Sequence, residues 1–358
     1  MSIIGLVDAP FPVLAGTYPP GLLTALWAIV AVVLIIPFTV RKVEENLEVF
    51  LFVMGCVAVS VTGDWSWELV LSALRDPFLI TVVVLIAGLA FHFGRPYMDH
   101  HFGLLRSLLG TRAMLFAVVT GLGLLSSVIT AIIASLLLVE VVHLLKLGRK
   151  EEIRLTVIAC FSIGLGAALT PVGEPLSTIT ITKLRGDFWT LARLLGLYLL
   201  PGILVLGGLA AFIGTTRRKA TLKDVHRRDP LSGVFLRAVK VYAFVAALLL
   251  LGEGLYPLVD RYIAPLPAAA LFWANMISAI LDNATLAAAE VGPALSPDQL
   301  TAILLGLLVS GGMLIPGNIP NIISAGHLKI RSREWAAVGV PLGLVLMAAY
   351  FAAWFFLR

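Results

Sequence analysis

The chain has 358 residues, 59% of them hydrophobic and only 13% charged, where a soluble domain carries about 25% charged residues. With a mean hydropathy of +1.00, most of it must face lipid or other membrane segments, which excludes an ordinary soluble domain. The net charge of +5 gathers in short loops between apolar runs, a pattern of membrane topology and not of a nucleic-acid surface.

In chain order, apolar runs of about 20 residues, enough to span a bilayer, fall near 21–40, 46–63, 77–94, 194–213, 234–252 and 335–357. The N-terminus has no basic start before an apolar core, so no removable signal peptide is expected. The stretches 64–76 and 95–111 mix Trp, Arg and His with apolar residues and read as interfacial helices. The run from Arg112 to Leu145 is too long for one crossing and short for two, and Ser126, Ser127 and Thr130 lie at its middle. The run from Pro265 to Val291 has the same character around Asp282 and Asn283. Both read as re-entrant hairpins. The runs 152–183 and 299–328 read as crossings broken at Pro171-Val-Gly173-Glu174-Pro175 and Pro316-Gly317-Asn318-Ile-Pro320. Proline there removes an amide donor and clashes with the preceding turn.

The expected fold is therefore an all-α polytopic membrane protein of about eight crossings and two hairpins. Residues 1–76 supply N-terminal spans, 77–213 a first repeat, 214–230 a cytoplasmic connector and 231–358 a second, inverted repeat. With both termini outside, the basic loops around Lys42, Arg95, Lys150, Arg218 and Arg331 all fall inside, as the positive-inside rule requires, and Lys183 falls in an outer loop. The expected location is the cell's inner (plasma) membrane, with lipid as the surrounding partner and no nucleic acid. Matching interrupted segments in two halves point to a transporter's central site.

Asp282 is the sharpest single residue, because a carboxylate at membrane depth costs at least about 2.5–3.5 kcal/mol and is kept to bind a cation, relay a proton or pair with a base. Capping a helix is its structural alternative. Glu174 can complete an oxygen shell around a small hard cation or cap the half-helix that follows. Asn283, Asn318, Thr130, Ser127, Thr170, Ser310 and Asn321 add oxygens, each of which could equally serve local backbone bonding. Glu140 and Glu290 read as lying near the inner and outer surfaces, His92 as an interfacial residue, and Cys56 and Cys160 as packing residues. No metal spacing, disulfide framework or catalytic motif appears, so no enzyme, resident metal or cofactor is expected.

At these residues the chain resembles the ion transporter superfamily of NhaD-type sodium/proton antiporters, arsenite carriers and dicarboxylate carriers. Ser278-Ala-Ile-Leu-Asp282-Asn283 is similar to the hairpin Asp-Asn motif of the sodium/proton branch, and Leu169-Thr-Pro-Val-Gly-Glu174 to its Ser-Pro-Ile-Gly-Asp break. From roughly Arg95 to the C-terminus the chain also resembles an uncharacterised family of cation transporters. The resemblance implies a homodimer with an elevator motion. There are departures. Thr130-Ala131 stands where the sodium/proton branch tends to carry a second Asp-Asn, and the Ser-Asn-Thr signature of dicarboxylate carriers is missing from both tips. The expected function is a secondary cation carrier exchanging sodium or a similar ion for protons. The alternative is a sodium-coupled carrier of a small anion, a carboxylate or oxyanion.

Overall fold

The structure is a computed structural model that describes residues 18–44, 46–145, 147–184, 186–213, 231–280, 283–292 and 295–357. Asp282, the connector 214–230, Lys146 and Arg185 lie outside the described residues, and the side chains of His92 and Arg95 are not described either. Among the described residues every regular element is helical. Four helices are long and apolar enough to cross a membrane: Gly110–Ile129, Thr190–Ala211, Leu231–Gly254 and Ser332–Leu357. Their outward faces carry side chains that water would not tolerate in such number, among them Leu197, Val205, Val239, Val345 and Phe356. This is an all-α membrane protein.

Helix α1 (Pro20–Thr39) opens on a proline, whose missing amide is no loss in a first turn. Helix α2 (Leu47–Thr62) ends at Gly63 in the left-handed region. Helix α3 (Trp67–Ile129) departs from the sequence reading. The stretches expected as separate interfacial helices continue the span between them, and the single non-helical residue is Gly110, with φ 68° and ψ 165°. Mixed polarity by itself does not stop a helix. At about 1.5 Å per residue the part before Gly110 runs to roughly 65 Å, well beyond a bilayer of about 40–45 Å, so its polar ends have water or headgroups to reach. The part after Gly110 is itself a full crossing length, longer than a hairpin arm needs.

Thr130 (φ 75°, ψ 151°) breaks the chain again before α4 (Ala131–Leu145). Only glycine adopts that region at ease, and a side chain held there costs on the order of 1–3 kcal/mol. Next come α5 (Arg149–Ala167), α6 (Pro175–Leu184), α7 (Thr190–Ala211) and α8 (Leu231–Gly254). Asp187 prepares the start of α7 by accepting from the Trp189 amide at 2.9 Å and the Thr190 hydroxyl at 3.0 Å. Its pairing with Arg193 holds its carboxyl below the ordinary range. The last part comprises α9 (Ala268–Ala274), a 3-10 turn over Asn275–Ala279, α10 (Asn283–Glu290), α11 (Pro297–Gly311), α12 (Ile319–Leu328) and α13 (Ser332–Leu357).

The packing crosses between the halves. Helix α4 lies against α12, and α10 lies against α6. Helices α5 and α11 each pack on the long helix that follows their broken run, α7 and α13, and each of those carries an internal proline, Pro201 or Pro341. Helix α8 packs against α2 and α3 and so ties the second part to the N-terminal helices.

Candidate functional site

Each broken run is stitched by the same pair of bonds. In the first, α5 stops at Ala167, and the chain turns through Thr170, Pro171 and Gly173 before Pro175 starts α6. Ser177 donates its hydroxyl back to the Ala167 carbonyl at 3.3 Å, and Thr178 donates to the Pro171 carbonyl at 2.6 Å. In the second, α11 stops at Gly311 and a 3-10 turn over Ile315–Gly317, holding Pro316, leads to Asn318. Asn321 Nδ2 donates to the carbonyls of Gly311 and Leu314, both at 2.8 Å. The partners are ten and seven residues upstream in both runs. Pro171, Pro175 and Pro316 free the carbonyls of Ala167, Pro171 and Gly312, and side chains recapture all three within the protein, the last through Trp335 Nε1 at 3.2 Å, as irregular backbone in lipid requires.

The helix ends beside Ser127 and Ser278 meet the breaks. The Thr170 hydroxyl donates to the Ser127 carbonyl, and the Ala131 amide donates to the Gly173 carbonyl at 2.8 Å. Farther back, Ser126 donates to the Ile163 carbonyl and Ser162 to the Val119 carbonyl, both at 2.9 Å, so α3 and α5 exchange hydrogen bonds. The second half repeats the exchange: Ser278 donates to the Leu307 carbonyl at 3.4 Å and Ser310 to the Asn275 carbonyl at 2.7 Å. A methyl placed on Gly317 would stand 2.5 Å from the Ser278 carbonyl oxygen, so the 3-10 turn over Asn275–Ala279 also presses on the second break.

Beside the first tip is a cavity of about 30 Å³. Thr130, Ala131, Ile132, Val172, Gly173 and Glu174 line it, closed off by Pro175, Thr178, Val245 and Ile319. Glu174 is 4% exposed and immediately precedes α6, whose amides carry roughly half a positive charge. Ile319 belongs to the other break, which brings the two breaks to one place. Asn318 reaches further. Its amide nitrogen lies 2.7 Å from where a methyl on Gly164 would stand, and Cys160 of the same helix donates its thiol to the Pro320 carbonyl at 3.5 Å.

Of the expected ligands, Thr130 and Glu174 line the cavity, Asn318 lies against α5, and Asn283 is buried on α10. The Ser127 and Thr170 hydroxyls are used on backbone carbonyls: Ser127 donates to Leu124 at 2.7 Å. Asn318 makes no capping bond; its Oδ1 and the Asn283 Nδ2 are buried without a hydrogen-bond partner, unusual for buried polar atoms.

Two side chains have partners the sequence did not show. The Lys183 Nζ donates to the carbonyls of Ala288 at 2.6 Å and Val291 at 2.9 Å, so α6 caps the end of α10. The Glu290 side chain hydrogen-bonds Asn275. The one advance signal for Lys183 was an ammonium closing an apolar half-helix, since its partners lie more than 100 residues away in sequence. Cys56 and Cys160 are free thiols. Among the described residues no group of three or more His, Cys, Asp and Glu could hold a metal ion.

A family model spans residues 23–357, a stretch that takes in both broken runs and everything lining the cavity. The chain belongs to that family, described as a protein of unknown function, DUF1646. Among curated proteins none matches it.

Proposed function

We propose that this member of DUF1646 is a secondary cation carrier, exchanging sodium or a similar small cation for protons across the cell's inner membrane by alternating access. The observation that carries the reading is the buried Glu174 carboxylate beside a cavity the size of one or two water molecules, where a hairpin tip and both breaks converge. A full negative charge there outweighs the roughly half positive charge of the α6 amino end, and Asp282 would add a second. Such a site draws in a cation. A cation and a proton compete because one carboxylate oxygen cannot hold both. The anion alternative, a sodium-coupled carrier of a carboxylate or oxyanion, would need the opposite charge balance and more room.

The architecture we infer is two inverted repeats, each made of a re-entrant hairpin, a broken crossing and a terminal span. The matched stitching at ten and seven residues, the paired serine exchanges, the crossed packing of α4 on α12 and α10 on α6, and the internal prolines of α7 and α13 all support it. An elevator motion in a homodimer is what the resemblance to the ion transporter superfamily implies.

The test is flux in proteoliposomes holding the purified protein. An imposed sodium gradient should drive proton movement in the opposite direction, and a sodium-dependent uptake of labelled carboxylates or oxyanions without proton countermovement would favour the anion carrier. Within that assay Glu174→Gln is expected to weaken apparent sodium affinity about tenfold or more while the maximal rate changes less. A ligand lost from an ion's shell acts first on binding. Unchanged affinity with collapsed turnover would make Glu174 the proton carrier instead.

A further inference from the structure

Asn275 opens the 3-10 turn after α9 and Glu290 closes α10, and their side chains meet. The Asn275 side chain is 1% exposed; one of its N–H groups donates to the Leu271 carbonyl at 3.0 Å, and the amide also hydrogen-bonds the Glu290 carboxyl. Two buried oxygens are left over, Asn275 Oδ1 and Glu290 Oε2, and neither has a hydrogen-bond partner.

Both oxygens are acceptors when Glu290 is ionised, so no rearrangement of the pair could then join them. A neutral carboxylic acid differs in one respect: one of its oxygens carries a hydrogen. An acid and a primary amide close a ring of two hydrogen bonds, N–H to carboxyl oxygen and O–H to amide oxygen. That ring removes both orphans at once.

Among the described residues, the charged groups on elements packed against α10 offer no replacement. Lys183 of α6 is bonded to the carbonyls of Ala288 and Val291, and Lys240 of α8 pairs with Glu48 at 2.9 Å. Arg261, in the helical turn after α8, is exposed. Glu253 of α8, Asp260 of that turn and Asp298 of α11 carry the same sign as an ionised Glu290.

We propose that Glu290 and Asn275 form a proton-binding site separate from the cavity at the breaks, in which the neutral acid and the amide staple the two arms of the second hairpin together. Losing the proton replaces one of the two bonds with facing lone pairs. The 3-10 turn and α10 then loosen from each other, which makes their packing sensitive to pH whether or not the protein exchanges cations.

Infrared difference spectra of the purified full-length protein test this. Wild type minus Glu290→Gln at neutral pH should contain a carboxylic-acid carbonyl band, equally strong in sodium chloride and in choline chloride. In Asn275→Leu that band should move to the frequency of a less hydrogen-bonded acid, a reading that does not require the glutamine variant to fold. The glutamine amide can close the same ring without a proton, so Glu290→Gln should match wild-type thermal stability in acid and lose the wild type's fall in stability as pH rises. Carboxylate bands alone at neutral pH, a band that disappears when sodium is added, or a band indifferent to Asn275 would each overturn the site.

Discussion

Asp282→Asn is expected to abolish sodium-driven proton movement in proteoliposomes, a loss of a hundredfold or more on the order of a removed obligatory group, while the purified protein remains folded. Asp282 is the one acid in the sequence Ser278-Ala-Ile-Leu-Asp282-Asn283, and the first half offers only Thr130 and Ala131 at the matching place. An amide can still coordinate an ion but cannot give up a proton in exchange for it. Sodium then binds without being coupled to anything. Measured pH-driven sodium uptake that persists in Asp282→Asn would remove this carboxylate from the exchange and leave Glu174 as the sole candidate.

Gly166→Ala should have the largest structural effect of any single methyl. Its Cβ would collide with the carbonyl oxygen of Gly123, and Ser126 stands just beyond at 2.9 Å. Small residues let backbones approach this closely inside a membrane. Overpacking a rigid contact costs about 1–3 kcal/mol, and forcing α3 from α5 also stretches the Ser126 and Ser162 bonds, worth about 0.6 kcal/mol each in a membrane protein. Packing therefore outweighs the hydrogen bonds here. The expected result is a thermal midpoint lowered by several degrees and reduced recovery of monodisperse protein on size exclusion. Unchanged stability would mean that the two helices are farther apart than described.

Much of this geometry was legible in the sequence. Pro-x-x-x-Pro inside an apolar run leaves carbonyls unpaired, so the breaks at Pro171 and Pro316 could be located without coordinates. The turn at Thr130 was legible from the small polar residues before it, although its strained backbone was not, because nothing local marks a threonine for a glycine's conformation. The continuous helix through Trp67–Leu109 was missed for a plain reason: amphipathic flanks say where polarity changes, not where hydrogen bonding stops. The partners of Lys183 and Glu290, the end of α10 and Asn275, were not legible, because they are set by how the helices pack and not by neighbours in sequence. The stitching residues Ser177, Thr178 and Asn321 are equally silent until the freed carbonyls of Ala167, Pro171, Gly311 and Leu314 are seen beside them.

The central claim is that a cation and a proton compete for buried carboxylates where the tips and breaks converge. Adding sodium chloride to purified protein in weakly buffered detergent solution, and following the pH of the medium, measures that competition without any transport. The account predicts proton release that saturates with sodium, shrinks as the starting pH rises and the site is already deprotonated, and is lost in Asp282→Asn. Sodium binding with no proton release at any starting pH, or equal release from the variant, would contradict it.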